Sequence, residues 1–136
     1  MDLLLIDDNE FEAKLTIRAL SRNNPSQKIH YMKDSEEALK MLTSPMNETF
    51  PKVILLDLKM PRLNGLEMLK LLKSDERCRV IPVVMLTSSK EQSDIHESYH
   101  SGVNAYVVKP VDSEEFTNTV SEVGLFWLTL NNPVSL

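Results

Sequence analysis

The chain has 136 residues, of which 42% are apolar, and a formal net charge of −5; this suits one domain with one core, excludes a disordered chain, and argues against a nucleic-acid binder, which would usually carry a basic face. A single cysteine, Cys78, rules out an internal disulfide. No apolar run approaches the roughly 20 residues of a membrane span, and the start has no basic-plus-apolar leader, so the sequence reads as a soluble cytoplasmic protein.

Leu3-Leu4-Leu5-Ile6 is a continuous apolar run, the pattern of a strand covered on both faces, and it ends on Asp7-Asp8-Asn9. Phe11, Leu15, Ile17 and Leu20 then recur at helical spacing among Glu10, Glu12, Lys14 and Arg18, predicting an amphipathic helix over about 9–22. Asp8 or Asn9 is placed to cap it, and Asn23-Asn24-Pro25-Ser26 stops it. A weaker strand follows over about 28–32. Asp34-Ser35-Glu36-Glu37 opens a second helix with acidic residues where the dipole favours them, and Ala38, Leu39 and Leu42 form its inner face. Residues from Thr43 to Pro51 read as a loop without chemistry.

Val53 to Leu56 run straight into Asp57, and Met60-Pro61-Arg62-Leu63-Asn64-Gly65 is turn chemistry. Leu66, Met68, Leu69 and Leu72 predict a third helix to about Lys73, followed by a polar loop from Asp75 to Val80. Cys78 stands there beside Arg77 and Arg79, which could lower its pKa; a lone cysteine in this setting reads as a bystander. Pro82 to Leu86 form a fourth strand ending on Thr87-Ser88-Ser89, with a helix from about Lys90 to His100. Ala105 to Val108 form a fifth strand ending on Lys109-Pro110, and a last helix runs from about Asp112 to Leu130.

The order βαβαβαβαβα predicts an α/β three-layer sandwich of the flavodoxin type, a parallel five-stranded sheet in order 2-1-3-4-5. The first and third strands are then neighbours, and Asp7, Asp8 and Asp57 meet at the carboxyl edge, where such sheets hold their sites. Thr87 and Lys109 arrive from the two strands beyond. Three like charges are unfavourable together unless a cation offsets them. Oxygen ligands without clustered His or Cys select Mg²⁺, or Mn²⁺, over zinc. An aspartate beside such an ion, a lysine and a hydroxyl is a phosphoryl-transfer constellation: the carboxylate attacks phosphorus while the cations neutralise the phosphoryl oxygens. Taken singly, these residues read as a strand-end turn, helix caps and a surface charge. His30, His96 and His100 fall away from that edge and read as surface residues.

These motifs resemble the receiver domain of two-component response regulators: Asp7-Asp8, Asp57 with Met60-Pro61 and Gly65, Thr87, and Lys109-Pro110. The resemblance covers about residues 2–128 of a single domain spanning 1–136. It implies that Asp57 is the phosphoacceptor and that Asp7, Asp8, Asp57 and the Lys59 backbone carbonyl hold the metal. It also implies that Lys109 binds the phosphoryl group, that Thr87 and Tyr106 form a switch pair reshaping the surface of the fourth helix, fifth strand and fifth helix, and that the bond before Pro110 is cis. The protein is then no enzyme in the usual sense, but a phosphoacceptor that assists its own phosphorylation by a histidine kinase. The long loop before the third strand, Pro82 to Ser89, Ala105 to Asp112 and the ending Phe126-Trp127-Leu128-Thr129-Leu130 further resemble the stand-alone regulators of bacterial and cyanobacterial phytochrome kinases. With no output domain expected, output would pass by contact with a downstream protein or a phosphotransfer protein. A pseudo-receiver that only binds partners, or an aspartyl-nucleophile phosphatase of the haloacid dehalogenase type, are the alternatives.

Along the last helix Phe116, Val120, Val123, Trp127 and Leu130 make one apolar face, while Leu125, Phe126 and Leu128 fall off it. An end that is apolar around most of its circumference, 125–130, must be covered, by the chain's own domain, by a second copy in a homodimer, or by a docked kinase. Gly124 marks a kink or a close approach. Lys59 lies two residues after the acceptor, where a cation is expected to slow attack by water on the acyl phosphate. Lys59→Asn is accordingly expected to shorten the phosphoryl half-life; an unchanged or longer half-life would count against that role.

Overall fold

The computed structural model describes residues 1–135. Five parallel strands, β1 (Leu3–Ile6), β2 (Ile29–Met32), β3 (Val53–Leu56), β4 (Val83–Thr87) and β5 (Ala105–Val108), form one sheet in the order β2-β1-β3-β4-β5. They alternate with α1 (Glu10–Asn23), α2 (Ser35–Thr43), α3 (Gly65–Ser74), α4 (Gln92–His100) and α5 (Ser113–Leu125). This is the expected flavodoxin-like sandwich. None of these helices is long and apolar enough to cross a membrane.

The continuous apolar strands split by their two-residue period. Leu4, Ile6, Ile54, Leu56, Val83 and Met85 face α2 and α3, where Ala38, Leu42, Met68, Leu69 and Leu72 close the first core. Leu3, Leu5, Val53, Leu55, Val84 and Leu86 face α1 and α5, meeting Ala13, Ala19, Leu20 and Val120. Each fully buried Leu or Ile contributes about 1.5–3 kcal/mol relative to exposure, so the central strands are fixed from both sides. The edge strands β2 and β5 contain no fully buried residue.

Register carries this rigidity to the site. Leu3 to Ile6 pair with Val53 to Leu56, and the Asp57 N–H donates to the Ile6 carbonyl at 3.0 Å. Asp7 and Asp57 therefore leave adjacent strands at the same level. Gly65 fixes the corner that follows. A Cβ on it would lie 2.2 Å from the Asp57 carbonyl oxygen and 2.8 Å from the Leu58 Cα. The Gly65 N–H instead donates to the Leu58 carbonyl at 2.8 Å, and Asn64 and Glu67 close a reciprocal capping box at the start of α3.

Several expectations change on contact with the structure. The segment after Thr43 is a loop, as expected, but it is pinned: the Arg77 guanidinium donates to the Ser44 and Asn47 carbonyls and stacks over the Phe50 ring. Cys78 opens a 3₁₀ turn, Cys78–Val80, within the expected polar loop and is fully buried. Burial pushes its thiol up to about 12, the opposite of what its arginine neighbours suggested. No peptide bond among the described residues is cis, so the bond before Pro110 is trans, the favoured isomer by about 0.5–1 kcal/mol for X–Pro.

The last helix also departs from its expected register. α5 gives way to a π-helical turn over Phe126–Leu130, where the Asn131 N–H reaches back five residues to the Phe126 carbonyl at 2.7 Å. The wider turn rotates the apolar face, so Leu128 is buried and Leu130 is 62% exposed. Leu125 and Phe126 remain exposed, as does Val134. Gly124 marks a close approach: a Cβ there would lie 2.9 Å from the Leu20 side chain on α1.

Gly65→Ala is expected to lower the urea unfolding midpoint, corresponding to about 1–3 kcal/mol of overpacking. An unchanged midpoint would show that α3 can slide away from β3 at no cost.

Candidate functional site

Asp7, Asp8 and Asp57 each offer a carboxylate oxygen within 4.8 Å of the others. Asp8 and Asp57 open onto a cleft of about 630 Å³, also lined by Asn9, Glu12, Lys59, Thr87, Ser88, Ser89 and Lys109, with Asp7 behind them. Asp7 is buried, whereas Asp8 and Asp57 are half-buried. The Tyr31 hydroxyl donates to the Asp7 carbonyl at 2.8 Å, and the Asp7 carboxylate accepts from the Asn9 N–H at 2.9 Å. Asn9, one of the two expected caps, accepts the Glu12 N–H, which leaves the Asp8 carboxylate free of capping.

Lys109 enters from the end of β5, where its N–H donates to the Thr87 carbonyl at 2.7 Å. Its side chain is only 5% exposed, and the ammonium lies 3.1 Å from Glu12, 3.4 Å from Asp7 and 3.7 Å from Asp57. Burial works against its charge, but Asp57, Asp7 and Glu12 outweigh it and hold its pKa above the usual lysine value. For Asp57 the balance goes the other way. Burial pushes its carboxyl up to about 6; Lys109 draws it down, and the Asp7 charge pushes it up again. One ammonium does not neutralise the cluster.

The donor set fits a hard divalent cation. Three carboxylate oxygens close together, one of them resisting ionisation through burial, and no His or Cys among them match Mg²⁺ or Mn²⁺. Lys59 is exposed at the rim. His30, His96 and His100 are exposed and outside the cleft, as expected from their sequence positions.

Thr87 is buried at the end of β4, and its Oγ accepts from the Ser89 N–H at 3.3 Å. Tyr106, half-buried on β5, donates its hydroxyl to the Ser89 carbonyl at 3.0 Å. The Ser89 hydroxyl donates to Asp94 on α4 at 2.5 Å. The two residues singled out as a switch pair are thus joined through Ser89, which sequence reasoning noted only as part of a strand end. Glu12 was likewise read only as part of a helix face. A lysine at one sheet edge and a glutamate four residues after an aspartate at that edge were the available signal, and only the fold brings them together.

The chain matches the response regulator receiver domain model over residues 3–121. It is 37% identical over 131 residues to the probable methanogenesis regulatory protein FilR2 of Methanothrix harundinacea, covering 95% of this chain and 84% of that one. Its identity to the response regulator Rcp1 of Synechocystis is 30% over 129 residues, covering 93% and 88%; the Mn²⁺-bound crystal structure of Rcp1 superposes with a TM-score of 0.89 over 98% of each chain. The phosphorylated cyanobacterial phytochrome response regulator RcpA superposes with a TM-score of 0.91 at 31% identity, again over 98% of both chains.

The raised Asp57 pKa has a consequence for stability. A carboxyl at about 6 in the fold and 3.8 unfolded binds its proton more tightly when folded, so stability falls as pH rises from about 4 to about 6 and stays low above. The loss is at most about 3 kcal/mol. Without divalent metal, Asp57→Asn is therefore expected to melt higher than wild type at pH 7.5 and to match it near pH 4. Mg²⁺ should stabilise wild type more than the variant. A variant that melts lower at pH 7.5 would overturn the assignment of Asp57 as a charge the fold bears at a cost.

Proposed function

Because this chain belongs to the family of response regulator receiver domains, matched over residues 3–121, we propose that it accepts a phosphoryl group from a histidine kinase on Asp57. The observation that carries this reading is the convergence of Asp7, Asp8 and Asp57 within 4.8 Å beside the buried Lys109 ammonium. An Asp57 oxygen attacks phosphorus as the P–N bond of the phosphohistidine breaks, and the imidazole keeps the electron pair. Asp7, Asp8, Asp57 and the Lys59 backbone carbonyl would hold Mg²⁺ or Mn²⁺. When bound, the ion supplies the positive charge that lets an anionic carboxylate meet an anionic phosphoryl group. Lys109 and the Thr87 hydroxyl take up the remaining phosphoryl oxygens.

In this reading Thr87 and Tyr106 form the switch. The bond from the Ser89 N–H to Thr87 and the bond from Tyr106 to the Ser89 carbonyl supply the physical link. A phosphoryl group adds charge of roughly −1.5 to −2 and strong acceptors. Drawing Thr87 toward it would pull on the Ser89 peptide and re-form the α4, β5 and α5 surface for a downstream protein or a phosphotransfer protein. The resemblance to RcpA favours a kinase of the phytochrome type. The exposed Leu125, Phe126 and Leu130 offer apolar surface for a second copy or for the kinase.

Two alternatives are disfavoured by particular residues. A phosphatase of the haloacid dehalogenase type needs an acid two positions after its nucleophile, and Lys59 stands there. A pseudo-receiver would lack an acidic or lysine position, and this chain retains Asp7, Asp8, Asp57 and Lys109.

The experiment is incubation with Mg²⁺ and acetyl phosphate, followed by Phos-tag mobility, with Asp57→Asn as control. A single retarded species is expected that depends on both Mg²⁺ and Asp57. Turnover without stable label would favour the phosphatase, and no labelling at all the pseudo-receiver.

A further inference from the structure

Two helices of this chain begin with the same Asn-x-x-Glu pattern, and the two glutamates do different things. At α3 Glu67 turns back to accept the Asn64 N–H at 3.0 Å, closing the capping box. At α1 the matching Asn9 N–H is taken by the Asp7 carboxylate at 2.9 Å. Glu12 is thereby released from capping, and its carboxylate points to the Lys109 ammonium at 3.1 Å. That is the shortest of the three carboxylate contacts of Lys109, shorter than those to Asp7 at 3.4 Å and Asp57 at 3.7 Å. Glu12 is also the one partner outside the group that converges for a cation, which is Asp7, Asp8 and Asp57.

We propose that Glu12 is a positioning residue that holds Lys109 toward α1 in the resting protein, keeping Asp7 and Asp57 open to the metal, and yields the lysine to the phosphoryl group when one arrives. The inference rests on the proposed phosphoryl acceptance at Asp57 for its second half only. The Lys109 ammonium has three donors to distribute. Without the Glu12 carboxylate they fall to Asp7 and Asp57 and compete with the metal for the same oxygens. The lost negative charge weakens metal binding in the same direction. For the phosphoryl group the effect is reversed. A dianionic donor entering the cleft meets one fewer anion, and Lys109 no longer has to leave a partner outside the metal group. The Glu12 side chain is 33% exposed, so in the native protein it can turn to water once the lysine leaves it.

Removing one carboxylate should therefore move two properties in opposite directions, which a merely structural role would not do. In Glu12→Gln, the Mg²⁺ dissociation constant, measured by calorimetric titration without any phosphodonor, is expected to rise about three- to tenfold, as loss of one nearby charge implies. At saturating Mg²⁺, the rate of labelling by acetyl phosphate is expected to rise about two- to fivefold for the same reason. In labelling, an Asp57 oxygen bonds to phosphorus as the acetyl O–P bond breaks and acetate leaves with the electron pair. Glu12→Ala should show the same opposed pair. Glu114→Gln, which removes an exposed charge from α5, should change neither. An unchanged or tightened Mg²⁺ constant, or a labelling rate that is unchanged or slower, would overturn the proposal. If wild type accepts no phosphoryl group, the reading of Asp57 fails on its own, and the Mg²⁺ titration still decides whether Glu12 keeps the carboxylates open.

Discussion

The buried Lys109 ammonium lies within 3.7 Å of carboxylates from Asp7, Glu12 and Asp57, and so ties β5 to the ends of β1 and β3 and to the first turn of α1. Asp57 would not sit comfortably where it is without a cation, because burial and the neighbouring Asp7 charge both favour its neutral form. The lysine relieves part of that cost. It does not relieve all of it, and Asp57 keeps a carboxyl pushed up to about 6. The imbalance is the useful feature. A site whose charge were already balanced would gain little from a divalent cation, while the proposed metal site, left anionic at neutral pH, would be relieved by one. Removing any one of the three carboxylates changes how the lysine divides itself among the others.

The placement of those charges is a matter of backbone rather than of side-chain freedom. Asp57 follows a strand buried on both faces, and the next corner is filled by Gly65 with no room for a methyl group. The turn between them is strapped to α2 from outside. Arg62, with a left-handed φ of 62°, pairs with Asp34 at 2.5 Å and Glu36 at 3.1 Å, and the Ser35 hydroxyl donates to the Leu63 carbonyl at 2.6 Å. An arginine in that conformation bears a cost that glycine or asparagine would largely avoid. Its two acidic partners offset part of the cost, although its exposed side chain limits what each pair contributes. A loop anchored at both its first strand residue and its last turn has little freedom left for Lys59 and its carbonyl, which the proposed metal site would use.

What could be read from the sequence follows the same division. Apolar runs ending on Asp7, Asp57, Thr87 and Lys109 are local patterns, and the rule that such sheets gather their sites at the carboxyl edge converts them into one place. The strand order and the acidic trio were therefore legible. Glu12 was not, because a glutamate in the first turn of a helix is already accounted for by the dipole, and only the contest between Asp7 and Glu12 for one N–H shows it to be diverted. Cys78 misled for a related reason: flanking arginines are sequence neighbours, but the turn at Cys78–Val80 buries the sulfur and leaves both arginines exposed. At the chain end a helical period of 3.6 was carried through Phe126–Leu130, where the backbone takes a wider turn and exchanges Leu130 for Leu128 in the core.

Ser89 shows how a residue with no chemistry of its own becomes the point on which a proposed switch turns. Its N–H is held by Thr87, its carbonyl by Tyr106 and its hydroxyl by Asp94, and its Oγ also accepts the Glu91 N–H at 3.3 Å. Every polar group of the residue is therefore committed to a different element: β4, β5 and the start of α4. The N–H and carbonyl lie on the two peptide units that flank Ser89, and a residue held at both follows a shift of Thr87 by turning its own backbone, lengthening the Tyr106 bond or turning the α4 entrance, since each contact is already within ordinary hydrogen-bond range. Packed elements of this kind respond by exchanging one set of contacts for another rather than by yielding gradually. The proposed transmission from Asp57 to the α4 and β5 surface then needs no long chain of intermediates. It needs one serine whose backbone and side chain are shared among three elements.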